Sequence, residues 1–170
     1  MQEQAGGMTR REAINARVQA FSEAMRSGSV LRPRLIELVR LRIAFHNQCR
    51  YCMSMRYGAA LDDGLTENLV CSLEKPAHDP DLSAAEKAAL AFADRFATDH
   101  LSIDAAMLAR LAEHFTADEI ADLGVLAACF TGFGRMGAVF DGGETLPVGA
   151  RHADGTPLVP WGVRQPAVVR

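Results

Sequence analysis

Apolar residues recur at helical spacing along nearly the whole chain, and the strict alternation that marks a half-buried strand is almost absent. The first such stretch runs from about Arg10 to Arg26 and stops at Ser27-Gly28. A second follows Pro33, a residue suited to a first helical position, and carries Leu35, Ile36, Leu38, Val39, Leu41, Ile43 and Phe45. Its apolar face is so broad that burial on most sides is expected. A break at His46-Asn47-Gln48 precedes a third helix, from about Cys49 to Leu61, which ends at Asp62-Asp63-Gly64. Thr66 to Leu73 can form a short fourth before the breaker run from Glu74 to Pro80, and Ala84 to Asp99, Asp104 to Phe115 and Ala117 to about Val139 complete the series.

Start signals support this partition. Thr9 with Glu12, Ser83 with Glu86, and Thr116 with Glu119 each fit the capping box, in which a hydroxyl and a carboxylate satisfy the orphan N–H groups of a first turn. The expected fold class is all-α, with about six to seven helices in one domain over residues 1–140. Beyond Asp141 the composition shifts to Gly, Pro and Val without helical period, so residues 141–170 are read as an extended arm over the body or a neighbouring subunit, with Trp161 shielded there.

Composition narrows the class. The 170 residues are 49% hydrophobic and 23% charged, an ordinary globular balance, and only 6% are aromatic, which favours helices packed through Leu and Ala. A net charge of -3 argues against a dedicated nucleic-acid binder. The charge is uneven: residues 1–60 carry +6 and residues 61–170 carry -9. Either the basic part lies against the acidic part, within or between subunits, or the first part holds an anion-attracting pocket. Apolar runs such as Gly124 to Phe130 fall short of the roughly 20 residues that cross a bilayer, so no membrane partner is expected. The polar N-terminus has no apolar signal region, so the expected location is cytoplasmic, where cysteines are reduced, catalytic or metal-binding.

Cys49-Arg50-Tyr51-Cys52 is the feature that carries chemistry. Residues three apart on a helix share a face, so the two sulfurs can form a disulfide, and a cysteine in a first turn is biased towards thiolate by the free N–H groups. Arg50 and Arg56 add positive potential. The alternatives are two small buried hydrophobes, or a metal site with His46 as third ligand, for which Cys71 and Cys129 offer no second pair and are read as core residues. Glu37 is read either as a rim carboxylate paired with Arg40 or Arg34, or as a buried proton acceptor for a thiol. Gly132-Phe133-Gly134-Arg135-Met136-Gly137 matches the dinucleotide fingerprint GxGxxG, but a helix runs into it and no second βα unit follows. Glycines that let two helices approach closely explain it better.

Glu37 on an apolar helix, then Cys49-x-Tyr51-Cys52 twelve residues on, then an Ala- and Leu-rich helical region, resembles the carboxymuconolactone decarboxylase family and its alkylhydroperoxidase D (AhpD-like) branch. The resemblance spans Pro33 to Val139 and is strongest over Leu35 to Leu61. It implies an all-helical homo-oligomer, a dimer, trimer or hexamer, that reduces hydroperoxides without a bound organic cofactor. Cys52 would attack and become a sulfenic acid, Cys49 would resolve it, Glu37 would belong to the proton relay, and a lipoyl-bearing or thioredoxin-like thiol partner would reduce the disulfide. Peroxidase members carry a histidine where this chain has Arg56, which cannot act as a base but can hold a thiolate, pair with Glu37 or bind an anionic substrate. Tyr51 and His46 are further relay candidates. The alternatives are a lyase or isomerase acting on a small anionic metabolite bound at Arg56 and Glu37, and a non-enzymatic redox-sensing oligomer.

Overall fold

The computed structural model describes residues 10–140, 146–150 and 165–170. The chain order is α1 (Arg10–Ser27), α2 (Pro33–Asn47), α3 (Arg50–Ser54), β1 (Met55–Tyr57), α4 (Gly58–Asp62), α5 (Glu67–Ser72), α6 (Ala84–Thr98), α7 (Ala105–Ala112), α8 (Ala117–Phe140) and β2 (Ala167–Val169). The fold is mostly helical, as its periodicity demands. α2 is its axis. Leu35, Ile36, Val39 and Ile43 pack against Phe92 of α6 and against Leu123, Leu126 and Ala127 of α8. On its other side Leu38 and Leu41 meet Ala60, Leu69, Val70 and Leu90. α2 is thus buried on most sides, the charged Glu37 and Arg40 included.

The ends of the helices obey local chemistry. Ser83 and Glu86 close a reciprocal capping box at α6, and Thr116 and Glu119 do the same before α8. Thr9 lies outside the described residues. The charge asymmetry resolves within the chain: Arg32 pairs with Asp63, Arg34 with Glu86, Arg42 with Asp94 and Arg56 with Glu67. Basic side chains of the first third thus fasten α2 and the segment after it to acidic residues of the later elements.

Three expectations are corrected. The single helix from Cys49 to Leu61 is broken into α3 and α4 by β1, which pairs in parallel with β2 in the register Met55 to Ala167 and Tyr57 to Val169. The cause lies largely outside the segment. The guanidinium of Arg40 donates to the carbonyls of Cys52 and Met55, that of Arg56 donates to the carbonyls of Met53 and Met55, and the Tyr57 N–H goes to the Glu37 carboxylate. The carbonyls of Cys52, Met53 and Met55, which a continuing helix would use, are taken by side chains, so none of the three goes unpaired. Second, α8 is 24 residues long and holds an 18-residue window of mean hydropathy 1.5, enough by length and composition to cross a bilayer. Its buried face belongs to the core, and Asp122 in its second turn accepts from Ser29 Oγ (2.8 Å) and the Val30 N–H (2.9 Å) of the α1–α2 connection. Third, Cys71 is exposed and Cys129 half-buried, so neither is a core residue.

Beyond α8, Leu146 and Ala150 pack with Met55 and partly buried Tyr51, where Ala167 also lies. The Arg170 guanidinium reaches Asp62 (3.2 Å), and its stem lies over Gly58, where a side chain would collide with it. Trp161 lies outside the described residues.

Candidate active site

α2 ends in a left-handed residue, Gln48 (φ 53°), which turns the chain so that Cys49 becomes the N-cap of α3. Its sulfur accepts from the Cys52 N–H (3.2 Å), a contact available only because the two cysteines sit at the cap and the third position of a first turn. The two are joined as a disulfide with Cα atoms 5.3 Å apart. Cys49 is fully buried, whereas Cys52 is half-buried and lines a cavity of about 280 Å³ between α1, α8 and the turn. The cavity is largely apolar, with Met25, Met55, Phe130 and Phe133 in its walls and the guanidiniums of Arg26 and Arg40 as its cations.

α8 closes over the disulfide through its glycines. A Cβ on Gly137 would stand 3.0 Å from Cys49 Sγ, and one on Gly134 would overlap Asn47 Nδ2, which donates to the Phe130 carbonyl (3.0 Å). A Cβ on Gly132 would meet nothing within 4 Å. The close-approach reading of the GxGxxG segment therefore holds for Gly134 and Gly137 and not for Gly132.

Glu37 is 1% exposed. It grips Arg40, three residues on, through two parallel bonds (2.6 and 2.7 Å), and Arg40 passes the contact on to the turn by donating to the Cys52 carbonyl at 2.7 Å. Burial alone would lower the Arg40 pKa, but the Glu37 carboxylate reverses this and raises it above the ordinary guanidinium value, so Arg40 is a fixed cation. The pair sits in the interior rather than on the rim. Glu37 lines a second cavity, of about 330 Å³, while Arg40 lines the cavity that holds Cys52. Tyr57 and Arg26 border both, with the Arg26 guanidinium stacked 3.9 Å over the Tyr57 ring.

The other candidates are placed as follows. Tyr51 lines the cavity beside Cys52. Arg56 is 1% exposed, bonded bidentately to Glu67 (2.9 and 3.0 Å), and is not among the residues of the Cys52 cavity. Among the described residues it does not pair with Glu37, and it lines neither the Cys52 cavity nor the second one; Arg40 stands where Arg56 was expected. His46 holds Asp94 of α6 (2.7 Å) beside Arg42 and does not line the cavity. Burial pushes Asp94 up, but these two partners outweigh it and hold its pKa below the ordinary carboxyl value. Cys129, expected to be packing, stands on the cavity wall, where burial pushes its thiol pKa up. Arg40 was legible only as a partner for Glu37, and nothing in the sequence marks Cys129.

The model of the carboxymuconolactone decarboxylase family matches residues 12–95. Over that stretch the chain is similar to that family. This segment contains α2, the CxxC turn and most of α6, so the disulfide, Glu37 and Arg40 all fall inside it, whereas α8 lies beyond it. Two uncharacterised proteins of Mycobacterium tuberculosis, from strains CDC 1551 and H37Rv, are each 37% identical over 105 residues, or 61% of this chain. The chain spans only 36% of the length of either relative. A solved structure from Agrobacterium tumefaciens, of a protein of unknown function provisionally assigned to AhpD antioxidant defence, superposes with a TM-score of 0.67 at 25% identity, covering 78% of this chain and 90% of that one. The mostly helical architecture is thus AhpD-like, and the paired cysteines fit the redox theme of that fold.

Proposed function

We propose that the chain is a thiol-dependent peroxidase of the AhpD type, in which Cys52 attacks a hydroperoxide and Cys49 resolves the product. The observation that carries this reading is the asymmetry of the disulfide: Cys52 borders the cavity and Cys49 is sealed behind it under Gly137. The attacking sulfur must meet substrate, and the resolving sulfur needs only its neighbour. Glu37 acts through Arg40, which it positions, and Tyr51 borders the substrate beside Cys52. No organic cofactor is needed, and a dithiol partner, lipoyl-bearing or thioredoxin-like, returns the disulfide to two thiols. A homo-oligomer would cover the exposed Phe133, Met136, Val139 and Phe140 of α8.

The lyase reading loses its anion-binding residue, because Arg56 is committed to Glu67 away from the Cys52 cavity. The test is peptide-level mass spectrometry of reduced protein before and after one equivalent of peroxide, with peroxide loss followed under dithiol. A rapid Cys49–Cys52 disulfide with turnover, abolished in Cys52→Ser, is expected. Thiols that stay reduced with no peroxide consumed would overturn the reading.

A further inference from the structure

The two sulfurs account for attack and resolution, but the oxygen that departs also needs a partner. We propose that Arg40 is a catalytic residue of this centre, one N–H of its Nη1 donating to the oxygen expelled when Cys52 attacks a hydroperoxide. The proposal rests on the peroxidase reading of Cys49 and Cys52.

A guanidinium carries five N–H donors in a rigid fork. In Arg40, Nε and one Nη2–H hold the two oxygens of Glu37, the other Nη2–H donates to the Met55 carbonyl (2.9 Å), and one Nη1–H donates to the Cys52 carbonyl (2.7 Å). The fifth, the second hydrogen of Nη1, has no acceptor among the described residues. The nitrogen with a donor to spare is thus the one already bonded to Cys52, and Arg40 and Cys52 line one cavity. Four bonds fix the guanidinium before any substrate arrives. A donor held in place in a largely apolar site stabilises developing charge without reorganisation.

In the step itself the Cys52 thiolate attacks the outer oxygen of R–O–O–H. The S–O bond forms as the O–O bond breaks, the sulfur gives up two electrons and becomes S–OH, and the peroxide is reduced. The departing R–O⁻ accepts from Arg40 and then takes a proton from water to leave as the alcohol. The Cys49 thiol next attacks the Cys52 sulfur, the S–S bond forms, and the S–OH oxygen leaves as water with the Cys49 proton.

Two variants test this in the full chain. Arg40→Lys keeps a cation against Glu37 but cannot reach carboxylate, carbonyls and cavity together. The double variant Glu37→Gln with Arg40→Gln removes the cation and its buried partner at once, so that no lone charge is left inside. Pre-reduced protein is mixed with cumene hydroperoxide in quenched flow and the disulfide counted by mass; Cys52 alkylation by iodoacetamide, which expels iodide rather than an oxygen, is followed across the same pH range. The expected result is a fall of about 100-fold in the rate with peroxide, and less than about threefold in the plateau rate of alkylation, because thiolate reactivity as such is retained. Equal falls in both reactions would make Arg40 a structural brace and overturn the proposal, as would an unchanged peroxide rate. If wild-type protein does not react with peroxide, the peroxidase reading fails and the proposal falls with it; if wild type reacts and both variants match it, the proposal alone fails.

Discussion

Arg40 donates to the carbonyls of Cys52 and Met55, and Arg56 to those of Met53 and Met55, so the turn after the cysteines is gripped by one guanidinium on each side. On the inner side, facing α8 and the cavity, the counter-charge is Glu37 at 1% exposure and the covering element is a glycine face of α8. On the outer side the counter-charge is Glu67, whose side chain is 46% exposed. Both arginines replace the same kind of helix bond. Only the inner one is sealed with its partner and turned to the space where Cys52 can meet a substrate. Sealing two charges costs desolvation that a pair of apolar residues would not, so beyond the two carbonyls it satisfies, the buried pair is a weak stability reason to keep Arg40. Its place on the cavity wall gives a chemical one. Nearness in sequence does not decide the role: Arg56 is four residues from Cys52, and Arg40 is twelve.

The sharpest break between the two sides comes from removing each counter-charge. Glu37→Ala strands a buried cation and is expected to cost about 3–5 kcal/mol in urea unfolding. Glu67→Ala removes a carboxylate that is already 46% exposed and leaves Arg56 its bonds to the Met53 and Met55 carbonyls, so a smaller loss, of about 1–2 kcal/mol, is expected. Equal losses would erase the distinction between inner and outer sides.

A smaller effect probes the packing of the inner side. Gly137→Ala sets a methyl 3.0 Å from Cys49 Sγ, against a disulfide and helix backbone that cannot easily move, and should destabilise by about 1–3 kcal/mol. Gly132→Ala, five residues earlier on the same helix with open space around it, should stabilise by about 0.5–1 kcal/mol through the unfolded chain. A Gly137→Ala protein as stable as wild type would mean that α8 does not bear on the disulfide.

Between the two sides stands the brace of α2 on α6, where Asp94 receives Arg42 and His46. Its folded pKa is depressed, so its stabilisation is full above the unfolded value of 3.8 and drains away as pH falls through the folded one. Comparing wild type with Asp94→Asn by chemical denaturation should give a gap of about 1 kcal/mol at pH 6, discounted for partial exposure. The gap should close towards pH 2. A gap that stayed constant with pH would show that the carboxylate charge is irrelevant to the brace.

What could be read from sequence follows from how local its cause is. α6 and α8 were legible because Ser83 with Glu86 and Thr116 with Glu119 write their own start signals. The cysteine pair and Glu37 were legible because spacing carries chemistry. The break at Met55–Tyr57 was not, since its carbonyls are satisfied by guanidiniums from α2 and from Arg56, and a window over residues 49–61 contains only part of the reason. The same blindness made Arg56 a candidate: its spacing from Cys52 was visible, and its partner Glu67 on another helix was not. Glycine close approach was inferred correctly in kind, but only the assembled helix pair tells Gly137 from Gly132.

The smallest expected effect lies at the entry to the turn, where the inner and outer sides diverge. Gln48 holds φ 53°, and its side-chain amide donates to the Phe45 carbonyl at 2.7 Å. A non-glycine residue in the left-handed region costs about 1–2 kcal/mol. Gln48→Gly removes that cost, but it gives up the amide contact and adds about 0.5–1 kcal/mol of unfolded-chain entropy. The terms nearly cancel, leaving an expected gain of about 0.5 kcal/mol. If thermal unfolding shows a loss instead, the amide bond to Phe45 is a working C-cap of α2. The register in which Cys49 is delivered to α3 would then depend on the Gln48 side chain as well as on its backbone.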